Sequence, residues 1–139
     1  LAISITIPPS DLVLIDTCIW VGFFNRNQSA ERITIDPLLD DDRAAITGMI
    51  LGEILQGFRR DDQADWVASS LQGLHDLEPT WDDWRVAAKL GRQLVANGHR
   101  LPLTDLAIVA IALRNDCFVL AIDPHFDLIA GLKRFPLKQ

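Results

Sequence analysis

Asp11-Leu12-Val13-Leu14-Ile15-Asp16 is a short apolar run closed by an acid. Its four consecutive apolar residues leave no polar face, so it reads as a strand buried on both sides, with Asp16 at the carboxyl end. Phe118-Val119-Leu120-Ala121-Ile122-Asp123 repeats the pattern, and Pro124 then turns the chain. Weaker strand signals lie at Leu74 to Glu78 and at Leu132 to Phe135. Between these runs the apolar spacing becomes helical. Arg43 to Phe58 carries Ile46, Met49, Ile50, Ile54 and Phe58, and Asp62 to Leu74 carries Trp66, Val67, Leu71 and Leu74. Thr80 to Ala96 carries Trp81, Trp84, Ala88, Gly91 and Val95, with Asn97-Gly98 as a stop signal. Thr104 to Arg114 is apolar almost all round, the mark of a buried helix, and Pro102 and Asn115 bound it. Short apolar strands alternating with helices predict an α/β fold with a mainly parallel central sheet covered on both faces.

The chain has 139 residues, enough for one domain spanning 1–139, and no polar linker, low-complexity tract or internal repeat divides it. With 49% apolar and 23% charged residues it is a globular composition. No run approaches the length of a membrane span, and Leu1 to Pro9 lacks the charge and cleavage pattern of a secretory signal, so a cytoplasmic location is expected. Cys18 and Cys117 are isolated, which excludes a disulfide framework and a recognisable zinc motif; both are expected as small buried hydrophobes. A net charge of −6 counts against binding by wholesale phosphate neutralisation. Of the 19 acids, 16 are Asp, a residue that favours helix starts, turns and hard-cation ligation. Asp40-Asp41-Asp42 and Asp61-Asp62 are expected at the beginnings of helices, facing the positive dipole end.

Four acids stand in places that such capping does not fully explain. In open α/β sheets ligands bind outside the carboxyl ends of the strands, where Asp16 and Asp123 both fall. The plain alternative is that each caps the turn that follows. Glu53 falls with Ile46, Ile50 and Gly57 on a stripe expected to face the core, where a carboxylate needs a cation, a hydrogen-bond network or a metal; the plain alternative is a helix rotated slightly so that Glu53 reaches solvent. Asp105 opens the most apolar helix just after Thr104; the plain alternative there is a Thr104 cap with Asp105 complementing the dipole. If the four converge, they repel one another, and a divalent cation is the economical remedy. All-oxygen donors favour Mg²⁺ or Mn²⁺ over zinc.

Four segments then carry a family likeness. Leu14-Ile15-Asp16-Thr17-Cys18-Ile19-Trp20 resembles the opening strand motif of PIN-domain ribonucleases, in particular the VapC-type toxins of toxin–antitoxin pairs. Gly52-Glu53-Ile54-Leu55-Gln56-Gly57, the stretch Leu103 to Ala110 and the stretch Val119 to Phe126 resemble the segments with the second, third and fourth acids. The likeness covers Leu12 to Phe135 and implies a three-layer α/β/α PIN-like fold. It implies Mg²⁺- or Mn²⁺-dependent cleavage of single-stranded RNA, a homodimer or toxin–antitoxin hetero-oligomer, and inhibition by a cognate antitoxin. In that reading Asp16, Asp105 and Asp123 hold one or two cations, Glu53 holds a water or serves as general base, and Thr17 and Thr104 orient carboxylates. Two departures stand out: His125 occupies a position that is often acidic in the family, and Leu1 to Ser10 is an N-terminal extension, either an extra edge segment or disordered.

An acidic chain can hold RNA on a local basic rim, for which Arg26, Arg59 and Arg60 are the first candidates, with Arg85, Lys89, Arg92 and Arg100 behind them. The alternative for each is an ordinary solvated face. Trp66, Trp81 and Trp84 could stack on bases, but their helical spacing favours core or dimer packing. Among rival enzymes, a phosphatase using Asp16 as nucleophile wants an acid where Cys18 stands, and no phosphate-cradling glycine motif occurs. The rival outside enzymology is a PIN-like module that binds RNA or protein without cutting.

Overall fold

The computed structural model describes residues 6–26 and 29–138. Five strands form one parallel sheet in the order β3-β2-β1-β4-β5: β1 is Val13–Ile15, β2 Ala44–Ile46, β3 His75–Asp76, β4 Phe118–Leu120 and β5 Lys133–Arg134. Among the described residues six helices cover it: α1 is Thr17–Asn25, α2 Ala30–Asp40, α3 Gly48–Gln56, α4 Asp61–Leu71, α5 Trp81–Ala96 and α6 Leu103–Asn115. They pack as two groups, α1 to α4 and α5 with α6, in the three-layer α/β/α arrangement.

The two decisive runs lie side by side. Val13, Leu14 and Ile15 pair in register with Phe118, Val119 and Leu120, and all but Phe118 are fully buried. From β1 the chain moves outward to β2 and β3; it then crosses back to lay β4 on the other flank of β1. The sheet therefore has its topological switch point between β1 and β4, where parallel α/β sheets open a crevice at the carboxyl edge.

Several expectations need correction. Arg43 to Phe58 is not one helix: Ala44–Ile46 is the fully buried strand β2, and α3 starts only after Thr47. Three residues are too few to display a period, and the alanines carry little strand signature. Asp40-Asp41-Asp42 ends α2 rather than beginning a helix; Asp42 turns the chain at φ 56°, a left-handed conformation that Asp tolerates. Asp61 and Asp62 do open α4 as expected.

On α5 the buried face is Asp83, Ala87 and Leu94, not the tryptophan stripe. Trp81 is 83% exposed, Trp66 66% and Trp84 37%, so none is a core residue. What turns α5 is an ion pair between the buried Asp83 and the partly exposed Arg114: Asp83 receives Arg114 Nε at 3.0 Å and Nη2 at 2.9 Å, and its other bond, from the Thr80 N–H, closes a capping box. Cys117 is buried, as expected, but Cys18 is exposed. Of the N-terminal extension, residues 1–5 lie outside the described residues; Pro9–Asp11 forms a 3₁₀ turn, and the Ser10 carbonyl accepts from Lys133 Nζ at 3.4 Å.

Candidate active site

Each acid reaches the carboxyl edge of the sheet by a different local device. Asp16 follows β1 directly. Its N–H donates to the Leu120 carbonyl at 2.9 Å, extending the β1–β4 ladder by one residue, and its own carbonyl opens α1 by accepting from Ile19 and Trp20. Asp123 leaves β4 three residues after Leu120 and caps a 3₁₀ turn, Pro124–Leu128. Asp105 sits in the first turn of α6, which begins at Leu103 with Pro102 as N-cap. Thr104 is therefore inside the helix, exposed, and not its cap, which corrects the capping alternative. Glu53 lies between the buried Ile50 and Ile54 of α3, at the margin of the inward stripe. It is exposed rather than core-facing, because α3 is shorter than the pattern implied and Ile46 belongs to β2.

The carboxylates sense one another. Burial, and then the charges of Asp16, Glu53 and Asp123, push Asp105 up to about 6. Burial also raises Asp16, with Asp123 adding to it and the Thr17 N–H opposing. Glu53 is raised by partial burial and by Asp16. Asp123 behaves differently: the His125 N–H, at 2.9 Å, and His125 Nδ1, at 2.7 Å, both meet its Oδ1 and hold it below the usual carboxylate range. It stays ionised at the rim of the cluster. Cys18, two residues after Asp16, feels all four charges, and its thiol is raised by partial burial and by them. Sequence reasoning did not place it there, since a single exposed cysteine leaves no motif.

No Lys, Arg or His side chain among the described residues lies within ion-pair distance of Asp16, Glu53 or Asp105. Three partly desolvated carboxylates without a positive partner are what a hard cation offsets. Among the described residues no group of three or more His, Cys, Asp or Glu side chains is placed to hold a metal ion. Mg²⁺ needs no such group, because it usually keeps several waters and takes one or two carboxylates. The donor set therefore fits a hydrated, oxygen-preferring cation. Thr17 orients Asp16 through its backbone N–H, not its hydroxyl, whose Oγ1 is buried without a hydrogen-bond partner among the described residues; Thr104 makes no side-chain bond there.

Of the rim candidates, Arg26 meets Glu31 at 3.5 Å, and Arg60 Nε meets Asp62 at 3.0 Å. Arg59 is exposed and, with Phe24 and Phe58, lines a cavity of about 610 Å³ between α1 and α3. Ile54, the neighbour of Glu53, lines the same cavity. Asp127 is on the surface, bound by Arg134 at 2.7 Å; the same guanidinium donates to the Ala121 carbonyl and so ties down the approach to Asp123.

The PIN domain family model matches residues 13–132. The VapC ribonuclease Mb1587 of Mycobacterium bovis is 30% identical over 125 residues, covering 87% of this chain and 93% of its own length, and Ribonuclease VapC11 of Mycobacterium tuberculosis matches equally. Among solved structures, VapBC2 of Rickettsia felis, bound to a promoter DNA fragment, superposes with a TM-score of 0.76 at 18% identity, over 89% of this chain and 97% of that one. The sarcin–ricin-loop-cleaving toxin VapC20 of Mycobacterium tuberculosis gives 0.66 at 16% identity, over 89% and 99%. With its acids gathered at the switch point of a parallel sheet, this chain belongs to the PIN-domain family, alongside the VapC ribonucleases.

Proposed function

We propose that the chain is a metal-dependent endoribonuclease that cleaves single-stranded RNA, the toxin of a toxin–antitoxin pair. It would act as one PIN domain in the cytoplasm. The observation that carries this is the gathering of Asp16, Glu53 and Asp105, without a positive partner among the described residues, at the carboxyl edge where β1 meets β4. In this reading Asp16 and Asp105 hold the cation, Mg²⁺ or Mn²⁺, directly, and Asp123 contributes from the rim. When bound, the cation lowers the pKa of water and offsets the charge that builds on the phosphate. Glu53 is exposed enough to take the proton from the attacking water, and its raised pKa brings it nearer the useful range for a general base. The half-buried Asp16 and Asp105 fix where the phosphorus must lie, which sets the line of attack.

An antitoxin partner fits the cavity between α1 and α3. Its wall of Val21, Phe24, Ile54 and Phe58 suits an amphipathic helix, and an arginine reaching past Ile54 could substitute for the cation's charge. The exposed rings of Trp66 and Trp81 are apolar area that assembly would cover, which supports a homodimer or a toxin–antitoxin hetero-oligomer.

The reading is tested by cleavage of a mixed-sequence single-stranded RNA with Mg²⁺ or Mn²⁺, with and without EDTA. Wild type, Asp16→Ala and Asp105→Ala are compared after circular dichroism shows that all three are folded. Metal-dependent cutting that both substitutions abolish is expected. No cutting by wild type, or equal cutting by the variants, would leave the non-cutting binding module as the better account.

A further inference from the structure

The positive side chains of this acidic protein sort into two populations. Arg26, Arg60, Arg85, Arg114, Lys133 and Arg134 are held by carboxylates, while Arg32 and Arg43 donate to carbonyls and lie over aromatic rings. Arg59, Lys89, Arg92, Arg100 and Lys138 are exposed, and among the described residues no ion pair or hydrogen bond engages their side chains. Two of these five share one cavity: Arg92 and Arg100, with Gly91, Val95 and Leu101, line about 350 Å³ at the end of α5.

That cavity lies where α5 packs against the first turn of α6, the turn that carries Asp105. A Cβ placed on Gly91 would stand 3.1 Å from Leu106 Cδ1, and Leu106 directly follows Asp105. Leu101, on the other wall, lies two residues before α6 begins. The first turn of α6 thus has carboxylates on its sheet side and a pocket with two free guanidinium groups on its α5 side. Pro102 gives α6 no side-chain cap, so its first N–H groups add positive potential at the same end.

Resting on the ribonuclease reading above, we propose that Arg92 and Arg100 form a phosphate subsite for the RNA strand, holding a backbone phosphate beside the one that is cut. Guanidinium forks suit phosphate oxygens, and free ones give up no existing ion pair to bind them. The half-exposed Val95 offers an apolar edge to the adjoining sugar. The subsite resolves the charge problem of this chain. Net repulsion of RNA by an excess of six negative charges is overcome locally, next to the cation site, instead of over a broad basic face. Arg26 and Arg60, already held by acids, are then secondary.

Fluorescence anisotropy of a labelled single-stranded RNA, followed over a series of KCl concentrations with Mg²⁺ present, tests this. An Asp105→Asn background suppresses cutting, and a gel checks that the RNA stays intact. Arg92→Gln/Arg100→Gln should weaken binding and flatten the slope of log affinity against log salt by about 1.4, the value for two lost single-strand phosphate contacts. Arg60→Gln/Arg85→Gln removes the same charge from ion-paired sites and should leave the slope nearly unchanged, while Arg92→Lys/Arg100→Lys should retain it. Equal slopes for the two glutamine doubles, or no change in either, would overturn the subsite while leaving a cutting wild type as a nuclease. A change in oligomeric state without a change in RNA binding would also overturn it, by making the patch a contact between copies. A background protein that binds no RNA, with a wild type that cuts none, would overturn both the subsite and the ribonuclease reading.

Discussion

Asp105 is the residue in which the electrostatics of the cleft are concentrated. Its carboxyl titrates near 6 when folded against 3.8 unfolded, so the native state binds more protons across that interval. Stability from this group is therefore present at low pH and lost as pH rises through 6. Without added metal, the melting temperature should fall between pH 5 and pH 7. Asp105→Asn should remove much of that fall and melt higher at pH 7 by about 3 °C, read by scanning calorimetry. A variant that melts lower at pH 7 would mean that Asp105 is stabilised by a partner. Glu53→Gln should leave the fold intact and lower kcat about 10²- to 10⁴-fold in a single-turnover cleavage assay, the range for loss of a general base. An unchanged kcat would remove that role. The positions of Asp16 and Asp123 were legible in the sequence as apolar runs ending in Asp, and for Asp123 the capping alternative holds as well, since its side chain caps the turn that follows. Glu53 was singled out for the wrong reason: it is an exposed group at the stripe's margin, not a buried one.

At the scale of elements, a polar interaction overrode the hydrophobic pattern on α5. The period favoured core or dimer packing for the tryptophans, and the Asp83–Arg114 pair with its capping box excludes the core by fixing the helix with Asp83 inside and Trp81 in solvent. A long-range ion pair between α5 and α6 leaves no local signal, which is why sequence periodicity left the rotation open. Arg114→Met would strand a carboxylate whose side chain is 4% exposed and should cost about 3 kcal/mol in urea unfolding, as for a broken buried pair. A loss below about 0.5 kcal/mol, the usual effect of a surface substitution, would show that the pair is incidental. At α1, a Cβ on Gly22 would stand 2.5 Å from Glu31 Cδ. Gly22→Ala should therefore destabilise by about 1–3 kcal/mol, the ordinary range for overpacking, despite the higher helix propensity of Ala. Strand β2 escaped the reading for a simpler reason: Ala-Ala-Ile is too short and too neutral to announce itself.

For the whole molecule, the α/β alternation was readable, but α1, α2, β2 and the charge geography were not. Alternating strands and helices gave the α/β class, and the closing strand's return beside the opening one makes the switch point that gathers the acids. Which arginines are free depends on pairings between distant helices and could only emerge from the fold. The account rests on one claim, that the gathered acids form a single cation site. Isothermal titration calorimetry of Mn²⁺ into metal-free wild type, Asp16→Asn and Asp105→Asn, run at pH 6 in two buffers of different ionisation heat, tests it most directly. The account predicts binding by wild type with net proton release, since a half-protonated Asp105 must deprotonate to ligate, and weakened binding in both variants. Binding of equal strength in all three proteins, or no binding by wild type, would contradict it.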